Sequence, residues 1–424
     1  MKEPIIVYEH ESLRVNEKGF TYDHLKSLSK FLGNKGEDDF PYYSLINNGV
    51  KFRHYVGVIS VGNIQIEVLP KADRKVKKGE EEMNENDEKH LWEEHLLEML
   101  RVVYKLKVSR STKADQQIKH SRVLDVFLNH FMDEVEHIMH VGLVKAYRRV
   151  EDNRTSLKGR LIMSKHIVKN LVHQERFYVD YTTYDRNHIL NRLLYKTLRV
   201  IQDITASNDI ILRAKTLMFE FPELNDIVIS EALFNRLNFD RKTEDYRYAI
   251  DLVRMILLNY MPNMTYNRNN NVVALMFDMN KLWEEYVYIT LRRQLTDYTV
   301  LAQNIKEFWR SDSNKIGEKT IRPDIVIKKG DTCVAVLDTK WKIPQDGKPS
   351  DSDLKQMYVY HKYWETNYTA LLYPGDYDKV EGHFIGNKGE LEDPAKCCMF
   401  FLPISDNHVY FLGTNKLIED LKTL

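Results

Sequence analysis

The chain has 424 residues, of which 43% are hydrophobic and 29% charged, and its formal net charge is zero. This length predicts two or three domains, and the hydrophobic content is sufficient for folded cores. A neutral chain has no general affinity for nucleic acid, so DNA binding would require local basic patches. The charged N-terminus and the lack of a run of ~20 apolar residues exclude a signal peptide and a membrane-spanning helix. We therefore expect a cytoplasmic protein without membrane contact.

Residues 1–90 predict a small β-rich module that ends in a charged linker. The segment YVGVISVGNIQIEVLP, residues 55–70, predicts a hairpin because two apolar runs flank the turn pair Gly62-Asn63. Residues 72–90 contain two large apolar side chains, too few to form a core, and predict a solvated linker. Between residues 91 and 270 apolar positions recur with helical spacing, which predicts a mainly helical middle domain.

A basic segment lies within this middle domain. Residues 145–169 contain eight lysines and arginines against Glu151 and Asp152. Such side chains bind the phosphates of duplex DNA, and Lys158 and Arg160 are the candidates for that contact. The alternative is a solvated surface whose charge is balanced elsewhere in the chain.

From residue 271 to 424 the pattern changes and predicts a mixed α/β domain, which also gives the fold class of the chain as a whole. A helix over MFDMNKLWEEYVYITLRRQL is followed by three strand candidates, a second helix over 352–365 and the strand YTALLYP. The second and third of these strands are joined by the turn 329–331, so they are expected to form a hairpin.

Three charged residues stand at the ends of this hairpin. Asp324 precedes the strand IVI, while Asp338 and Lys340 end the next strand and project to the same side. The hairpin brings Asp324 near Asp338, and two adjacent carboxylates repel unless a cation lies between them. Oxygen ligands of this kind favour Mg²⁺ or Mn²⁺. With Lys340 on the same side, these groups predict a site for metal-dependent phosphodiester hydrolysis.

Three further polar residues are candidates for the same site. Gln356 and Tyr360 lie four residues apart on one face of the second helix, where they would contact a DNA phosphate or orient Lys340. Glu284, on the first helix, would complete the metal ligands. The alternative is structural: Asp324 as a turn residue, Asp338 and Lys340 as a surface ion pair, and the helical residues as exposed side chains.

The motif Pro323-Asp324 with Asp338-Thr339-Lys340 resembles that of the PD-(D/E)xK nuclease superfamily, and QMYVY resembles the Q-x-x-x-Y helix of its RecB-like branch. A longer ordered series resembles McrC, the nuclease subunit of McrBC-type, modification-dependent (type IV) restriction systems. The D-x-K core is short and common, whereas the ordered series is much more specific. The segments that carry this resemblance are YVGVISVGNIQIEVLPK, SLKGRL, YDRNHILNRLLYKTL, LWEEYV, RPDIVI, LDTKWK, DLKQMYVY and LLYP.

The resemblance implies a C-terminal restriction-endonuclease-like PD-(D/E)xK domain that cuts double-stranded, methylated DNA with Mg²⁺ or Mn²⁺. It implies that Asp324, Asp338 and Glu284 bind metal, that Lys340 is the catalytic lysine, and that Gln356 and Tyr360 assist. It also implies that the N-terminal module binds a hexameric McrB-like AAA+ GTPase, stimulates its hydrolysis and leaves recognition of methylcytosine to it. The chain itself has no G-x-x-x-x-G-K-[ST] loop and is not the motor.

Two other functions stay open on the sequence. One is a self-sufficient PD-(D/E)xK defence or repair nuclease, which would cut DNA without a GTPase. The other is a non-catalytic adaptor that activates an AAA+ motor, and in that case Asp324 and Asp338 would bind no metal.

Overall fold

The computed structural model describes residues 4–35, 40–61, 64–70, 85–104, 123–205, 207–261, 272–311, 317–342, 344, 347–375, 377–386, 391–402 and 412–423. The predicted turn pair at 62–63 and residues 72–84 of the predicted linker lie outside these ranges. Helices and strands are both abundant in the described residues, and the fold is mixed α/β, as predicted.

The secondary-structure elements are numbered in chain order. The helices are α1 Tyr22–Lys35, α2 Glu85–Tyr104, α3 Val123–Val141, α4 Met163–Lys169, α5 Ile189–Ile204, α6 Asn208–Glu220, α7 Glu231–Asn235, α8 Tyr246–Leu258, α9 Met279–Gln294, α10 Asp351–Trp364 and α11 Leu412–Thr423. The strands are β1 Ile5–Tyr8, β2 Ser12–Arg14, β3 Tyr43–Ile46, β4 Gly49–Phe52, β5 Tyr55–Val61, β6 Ile64–Leu69, β7 Ala146–Arg154, β8 Arg160–Leu161, β9 Phe177–Asp185, β10 Tyr260–Met261, β11 Val272–Asp278, β12 Thr299–Ala302, β13 Lys306–Arg310, β14 Glu318–Ile321, β15 Ile325–Lys329, β16 Thr332–Thr339, β17 Tyr368–Pro374, β18 Val380–Ile385 and β19 Leu391–Leu402.

The N-terminal module is built on a five-stranded sheet with the order β1-β6-β5-β11-β10. The antiparallel pairing of β5 with β6 confirms the predicted hairpin at residues 55–70. Strand β11 also belongs to this sheet, although residues 272–278 fall beyond the predicted domain boundary at 271. The N-terminal sheet therefore continues directly into α9, the helix predicted to open the C-terminal domain.

Helices α2, α3, α5, α6 and α8 form the middle of the molecule. They share one apolar core, to which Leu96, Phe131, Leu198, Ala214 and Val253 contribute one buried side chain each. The prediction of a solvated linker is wrong for residues 85–90, since α2 begins at Glu85. The middle region also contains a three-stranded sheet with the order β7-β9-β8, which the prediction from helical spacing missed. The first six residues of β7 alternate between partly buried and exposed, which is the period of a strand.

The C-terminal sheet carries the candidate residues and has helices on both faces. Its order is β12-β15-β16-β17-β19-β18, and β16, β17 and β19 run parallel. Every residue of β17 is buried, as expected for a strand covered on both faces. On one face Val336 belongs to the same apolar cluster as Met357 of α10, and on the other Leu337 belongs to the cluster that includes Trp283 of α9 and Leu417 of α11. The carboxyl end of β16 therefore opens between two helical layers.

In the described part of the chain, no helix combines the length and the apolar character needed to cross a lipid bilayer.

His95 gives the fold a dependence on pH. Its side chain is 3% exposed in α2 and its ring lies beside Trp92, and burial lowers the pKa of His95 to about 4. Unfolding exposes the ring to water and restores an ordinary pKa near 6.5, so the unfolded chain binds the extra proton first. The contribution to stability is complete above pH ~6.5 and is lost as the pH falls towards ~4.

We expect the wild-type protein to lose about 2 kcal/mol of unfolding free energy between pH 7 and pH 5 relative to His95→Gln, which cannot titrate. Chemical denaturation at the two pH values measures this difference. The matched control is His137→Gln at an exposed position of α3, which should keep the wild-type pH dependence. Equal pH dependence in His95→Gln and wild type would show that His95 is not held neutral.

Candidate active site

Asp324 and Asp338 lie opposite each other across the hairpin of β15 and β16. Ile325 pairs with Leu337 in antiparallel register, and the next position outward places Asp324 across from Asp338. Directly opposite residues of antiparallel strands project to the same side of the sheet. The two carboxyl groups therefore face the same space at the end of the hairpin, as the sequence predicted.

An irregularity in the pairing produces this register. Near the turn Lys328 pairs with Cys333, whereas one step further Ile327 pairs with Ala335, so β16 holds one extra residue at Val334. Without it, Asp324 would lie across from Leu337, whose side chain packs into the core on the other face of the sheet. A β-bulge thus selects the face on which the first acid appears.

The two acids have different environments. Asp324 Oδ2 accepts hydrogen bonds from Thr339 N, at 2.6 Å, and from Thr339 Oγ1, at 2.7 Å. Asp338 is 1% exposed, and its Oδ1 accepts from Gln356 Nε2 at 3.3 Å. Its Oδ2 lies 2.5 Å from Lys340 Nζ and forms an ion pair with it. The amide of Gln356 and the ammonium group of Lys340 thus each contact one oxygen of the buried Asp338 carboxylate.

Burial and neighbouring charges have opposing effects on the pKa values of Asp338 and Lys340. Burial raises the pKa of Asp338, and the charge of Asp324 raises it further, against the lowering effect of Lys340. Burial is the largest single influence on Lys340 and lowers its pKa. The charge and hydrogen bond of Asp338, together with the charges of Asp353 and Asp324, outweigh burial, and the net shift of the pKa is upward. Lys340 is consequently held as the charged ammonium, while the two acids together favour a proton or another cation between them.

Gln356 and Tyr360 connect Lys340 to the segment before Asp324. Gln356 Oε1 accepts from Lys340 Nζ at 3.2 Å, and its Nε2 donates to the hydroxyl of Tyr360 at 2.7 Å. The Tyr360 hydroxyl in turn donates to the carbonyl of Arg322 at 3.0 Å. Of the two roles considered for this helical pair, orientation of the lysine is the one that its contacts support.

Glu284 lies close enough to Asp324 to interact electrostatically with it. Burial raises the pKa of Glu284, and the charge of Asp324 adds to that rise. In the described ranges, no three His, Cys, Asp or Glu side chains lie close enough together to bind one ion. Asp324 and Asp338 thus form a two-carboxylate group, and Glu284 stands beside it rather than within it.

Gln303 was not predicted and links Glu284 to Asp324. Its Nε2 donates to Glu284 Oε1 at 2.8 Å, and its backbone N–H donates to the carbonyl of Asp324, also at 2.8 Å. Its φ of +48° lies in the left-handed region, which residues other than glycine seldom occupy. In the sequence Gln303 is the last residue of YTVLAQ, the first of the three strand candidates in the C-terminal domain. A strand pattern does not indicate a left-handed backbone conformation.

Asp353 was also missed, because it stands among the capping residues of α10. Its backbone N–H donates to Oγ of the N-cap residue Ser350, but its carboxylate is 5% exposed and turns towards two lysines. Asp353 Oδ2 accepts from Lys342 Nζ at 2.7 Å, and Oδ1 lies 3.8 Å from Lys340 Nζ. Lys340 thus lies between two buried acids, Asp338 and Asp353.

Both predicted DNA contacts are exposed, and neither lies on the hairpin of the acids. Lys158 lies in the loop between β7 and β8, and Arg160 is the first residue of β8. Lys158 Nζ lies 4.6 Å from the ring centre of Tyr181. Arg160 pairs through its backbone with Asp180, whose carboxylate is bound by Arg149. The structure thus brings Lys158 and Arg160 to one surface of the middle region.

The chemistry of the paired acids fits a hard divalent cation. Mg²⁺ is commonly held by one or two carboxylates, with water and phosphate oxygens as the other ligands. Burial and the charge of Asp324 raise the pKa of Asp338 despite the opposing effect of Lys340, so a further positive charge beside Asp338 would stabilise its ionised form. Asp324 and Asp338 are the residues that would hold the ion.

Comparison with known families identifies the family of this chain. A family model described as the McrBC 5-methylcytosine restriction system component matches residues 50–374. This match spans more than half of the chain. The chain belongs to this family. The matched region includes all six residues proposed for the hydrolytic site, together with Lys158 and Arg160.

Two relatives of this McrBC family protein are informative. The type IV methyl-directed restriction enzyme EcoKMcrBC of Escherichia coli (strain K12) is 20% identical over 249 residues, which cover 53% of this chain and 68% of the relative. A chain of the half-complex from the tetradecameric assembly of Thermococcus gammatolerans McrB AAA+ hexamers with bound McrC has a TM-score of 0.67 and 21% identity. That match covers 99% of this chain and 100% of the other, so the two share their whole fold.

Removal of the Tyr360 hydroxyl should measure how strongly α10 is fixed to the segment before Asp324. We expect Tyr360→Phe to lower the unfolding free energy by about 1–2 kcal/mol, because the Arg322 carbonyl and the Gln356 amide each lose a buried partner. Chemical denaturation measures the loss. Tyr377→Phe, at a position 41% exposed, should change stability by less than about 0.5 kcal/mol. An equally small change in Tyr360→Phe would show that this chain of hydrogen bonds does not stabilise the site.

Proposed function

We propose that this McrBC family protein is the DNA-cleaving subunit of a methylation-dependent restriction system. It acts in the cytoplasm on double-stranded, methylated DNA and hydrolyses phosphodiester bonds with Mg²⁺ or Mn²⁺. It works in complex with a hexameric McrB-like AAA+ GTPase and stimulates that partner. In this proposal the C-terminal domain is a PD-(D/E)xK nuclease.

The observation that carries the proposal is the convergence of Asp324, Asp338 and Lys340 on one side of the β15–β16 hairpin. Each feature alone has a structural explanation, since acids can end strands and a lysine can balance an aspartate. Their combination is costly for a scaffold, because Asp338 is buried next to a second acid. Strained electrostatics of this kind are concentrated at functional sites.

In the proposed reaction Asp324 and Asp338 hold the metal ion. When bound, the ion polarises the scissile phosphate and makes a water molecule at the site more acidic. Thr339 keeps Asp324 in place through two hydrogen bonds, and Gln356 keeps Asp338 in place through its amide. Glu284, beside Asp324, is the residue that would contribute through a water molecule to the same ion.

Lys340 acts as a charged donor. The upward shift of its pKa keeps the Nζ protonated near neutral pH. From its position between Asp338 and Gln356 it donates hydrogen bonds to the attacking water and to the phosphate oxygens, and so offsets the negative charge that develops there. Gln356 and Tyr360 set the direction in which the ammonium group points.

The partner assignment is supported by the family and by the fold. The family description names a 5-methylcytosine restriction system, and the solved assembly with this fold contains McrB AAA+ hexamers with bound McrC. The chain has no phosphate-binding loop of its own, so the energy for movement along DNA must come from another subunit. We assign recognition of the modified base to that partner.

Replacement of the site residues should separate cleavage from assembly. We expect Asp338→Asn and Lys340→Ala each to reduce cleavage of methylated plasmid DNA by about 100-fold or more. Asp338→Asn removes a carboxylate that would hold the metal ion, and Lys340→Ala removes the ammonium group that offsets negative charge on the scissile phosphate. The assay contains the GTPase partner, GTP and Mg²⁺. Asp331→Asn, in the exposed turn of the same hairpin, is the matched control and should cleave within about twofold of wild type. Normal cleavage by either site variant would refute the site.

DNA cleavage, GTP hydrolysis and Mn²⁺ binding, measured on the same proteins, distinguish the two alternatives. If the purified chain cuts DNA without the partner, it is a self-sufficient nuclease. If it stimulates GTP hydrolysis but Mn²⁺ binding is the same in wild type and Asp338→Asn, the adaptor function is correct and the hydrolytic proposal is wrong.

Lys158 and Arg160 should contribute to DNA affinity by binding phosphates. We expect the double substitution to Ala to weaken binding to duplex DNA and to reduce the salt slope of log K by about 2, close to one unit for each phosphate that is no longer neutralised. Fluorescence anisotropy of labelled duplex at several salt concentrations measures both quantities. Lys215→Ala, at an exposed position of α6, should leave the slope unchanged. An unaltered slope in the double variant would remove this surface from the DNA interface.

A further inference from the structure

One end of the N-terminal sheet, where the strands β1, β6 and β11 finish, lies next to the candidate site. Strands β1 and β6 are parallel, and β6 and β11 are both antiparallel to β5, so β1, β6 and β11 run in one direction. Their carboxyl ends therefore lie at the same end of the sheet. Glu9 follows β1 at this end, and Asp278 is the last residue of β11 there and caps α9 by accepting from two backbone N–H groups. Glu9 and α9 each connect this end of the sheet to residues of the proposed hydrolytic site.

The first connection is a hydrogen bond between distant parts of the chain. Glu9 Oε1 accepts from Trp341 Nε1 at 2.9 Å. Glu9 is 3% exposed, and its backbone N–H donates to the carbonyl of Leu69 at 3.0 Å, so it is fixed to the end of β6. Trp341 directly follows Lys340. A carboxylate of the N-terminal module thus holds the residue next to the proposed catalytic lysine.

The second connection runs from Trp341 to the helix that carries Glu284. The rings of Trp341 and Trp283 lie 5.5 Å apart between their centres. Trp283 Nε1 donates to the carbonyl of Leu372 at 3.3 Å, and Lys340 N donates to the same carbonyl at 2.9 Å. Trp283 directly precedes Glu284. One carbonyl oxygen therefore fixes both the backbone of Lys340 and the indole beside Glu284.

We propose that Glu9 is a positioning residue of the hydrolytic site, through which the N-terminal module sets the place of Lys340 relative to Glu284. The inference rests on the proposed nuclease function. The buried carboxylate of Glu9 accepts the hydrogen bond of the Trp341 indole N–H. Because an indole has one N–H, this bond fixes the orientation of the ring. Since hydrolysis requires the ammonium group to be placed within a fraction of an ångström, loss of this acceptor slows the reaction without removing a catalytic group.

Variants at the two ends of this hydrogen bond test the proposal. Glu9→Ala removes the acceptor, and Trp341→Phe removes the donor but keeps an aromatic ring against Trp283. Glu9→Gln keeps the acceptor oxygen and removes only the charge. Glu17→Ala, at an exposed acid of the same module, is the matched control. Steady-state cleavage of methylated plasmid DNA by the full complex with Mg²⁺ gives kcat and KM for each variant.

We expect Glu9→Ala and Trp341→Phe to lower kcat about tenfold with KM for DNA unchanged, because orientation of the lysine rather than DNA binding is impaired. Glu9→Gln should stay within about twofold of wild type, since it restores the acceptor. Stimulation of the partner's GTP hydrolysis should be the same in all of these variants.

Three results would overturn the inference. Wild-type kcat in Glu9→Ala would show that this hydrogen bond has no effect on the site. Equal losses in Glu9→Gln and Glu9→Ala would show that the charge or local folding matters, and not the acceptor. If the wild-type complex itself does not cut DNA, the proposed nuclease function fails and the inference fails with it, whereas the first two results leave that function intact.

Discussion

The arrangement of the C-terminal domain depends on one electrostatic conflict, the burial of Asp338 beside a second acid. A carboxylate in so little water is stable only when it is protonated or balanced by positive charge. The ammonium group of Lys340 supplies positive charge, but it is shared with the buried Asp353. This imbalance is the basis for the proposal that a further cation binds here. It also gives a reason for the hydrogen bonds that fix the carboxylates and the lysine.

Several elements of the fold hold Lys340 and the neighbouring acids in place. Helix α10 holds the lysine from one side through Gln356, and the Leu372 carbonyl of β17 holds its backbone. Helix α9 starts where the N-terminal sheet ends, so the predicted domain boundary falls within a continuous piece of structure. An N-terminal module connected to the site by a strand, a helix and a hydrogen bond is placed to influence the position of Lys340.

Much of the site could be predicted because its geometry is local. Asp338 and Lys340 share a face by simple alternation along a strand, and Gln356 and Tyr360 share one by helical spacing. What sequence patterns cannot give is contact between distant residues or unusual backbone. Glu9 and Trp341 are 332 positions apart, and Gln303 owes its two hydrogen bonds to a left-handed conformation. The sheet of β7, β8 and β9, next to the loop that carries Lys158, was likewise missed within a region of helical spacing.

The bulge at Val334 makes the site sensitive to the length of the hairpin rather than to its composition. Many apolar substitutions in β15 or β16 would leave Asp324 and Asp338 facing each other, because the alternation is unaffected. Gain or loss of a single residue between them would instead turn Asp324 towards the hydrophobic core and place an apolar side chain in the space that the two acids now share. Homologues should therefore vary freely in residue type along this hairpin but keep its residue count, or change it only by two compensating events.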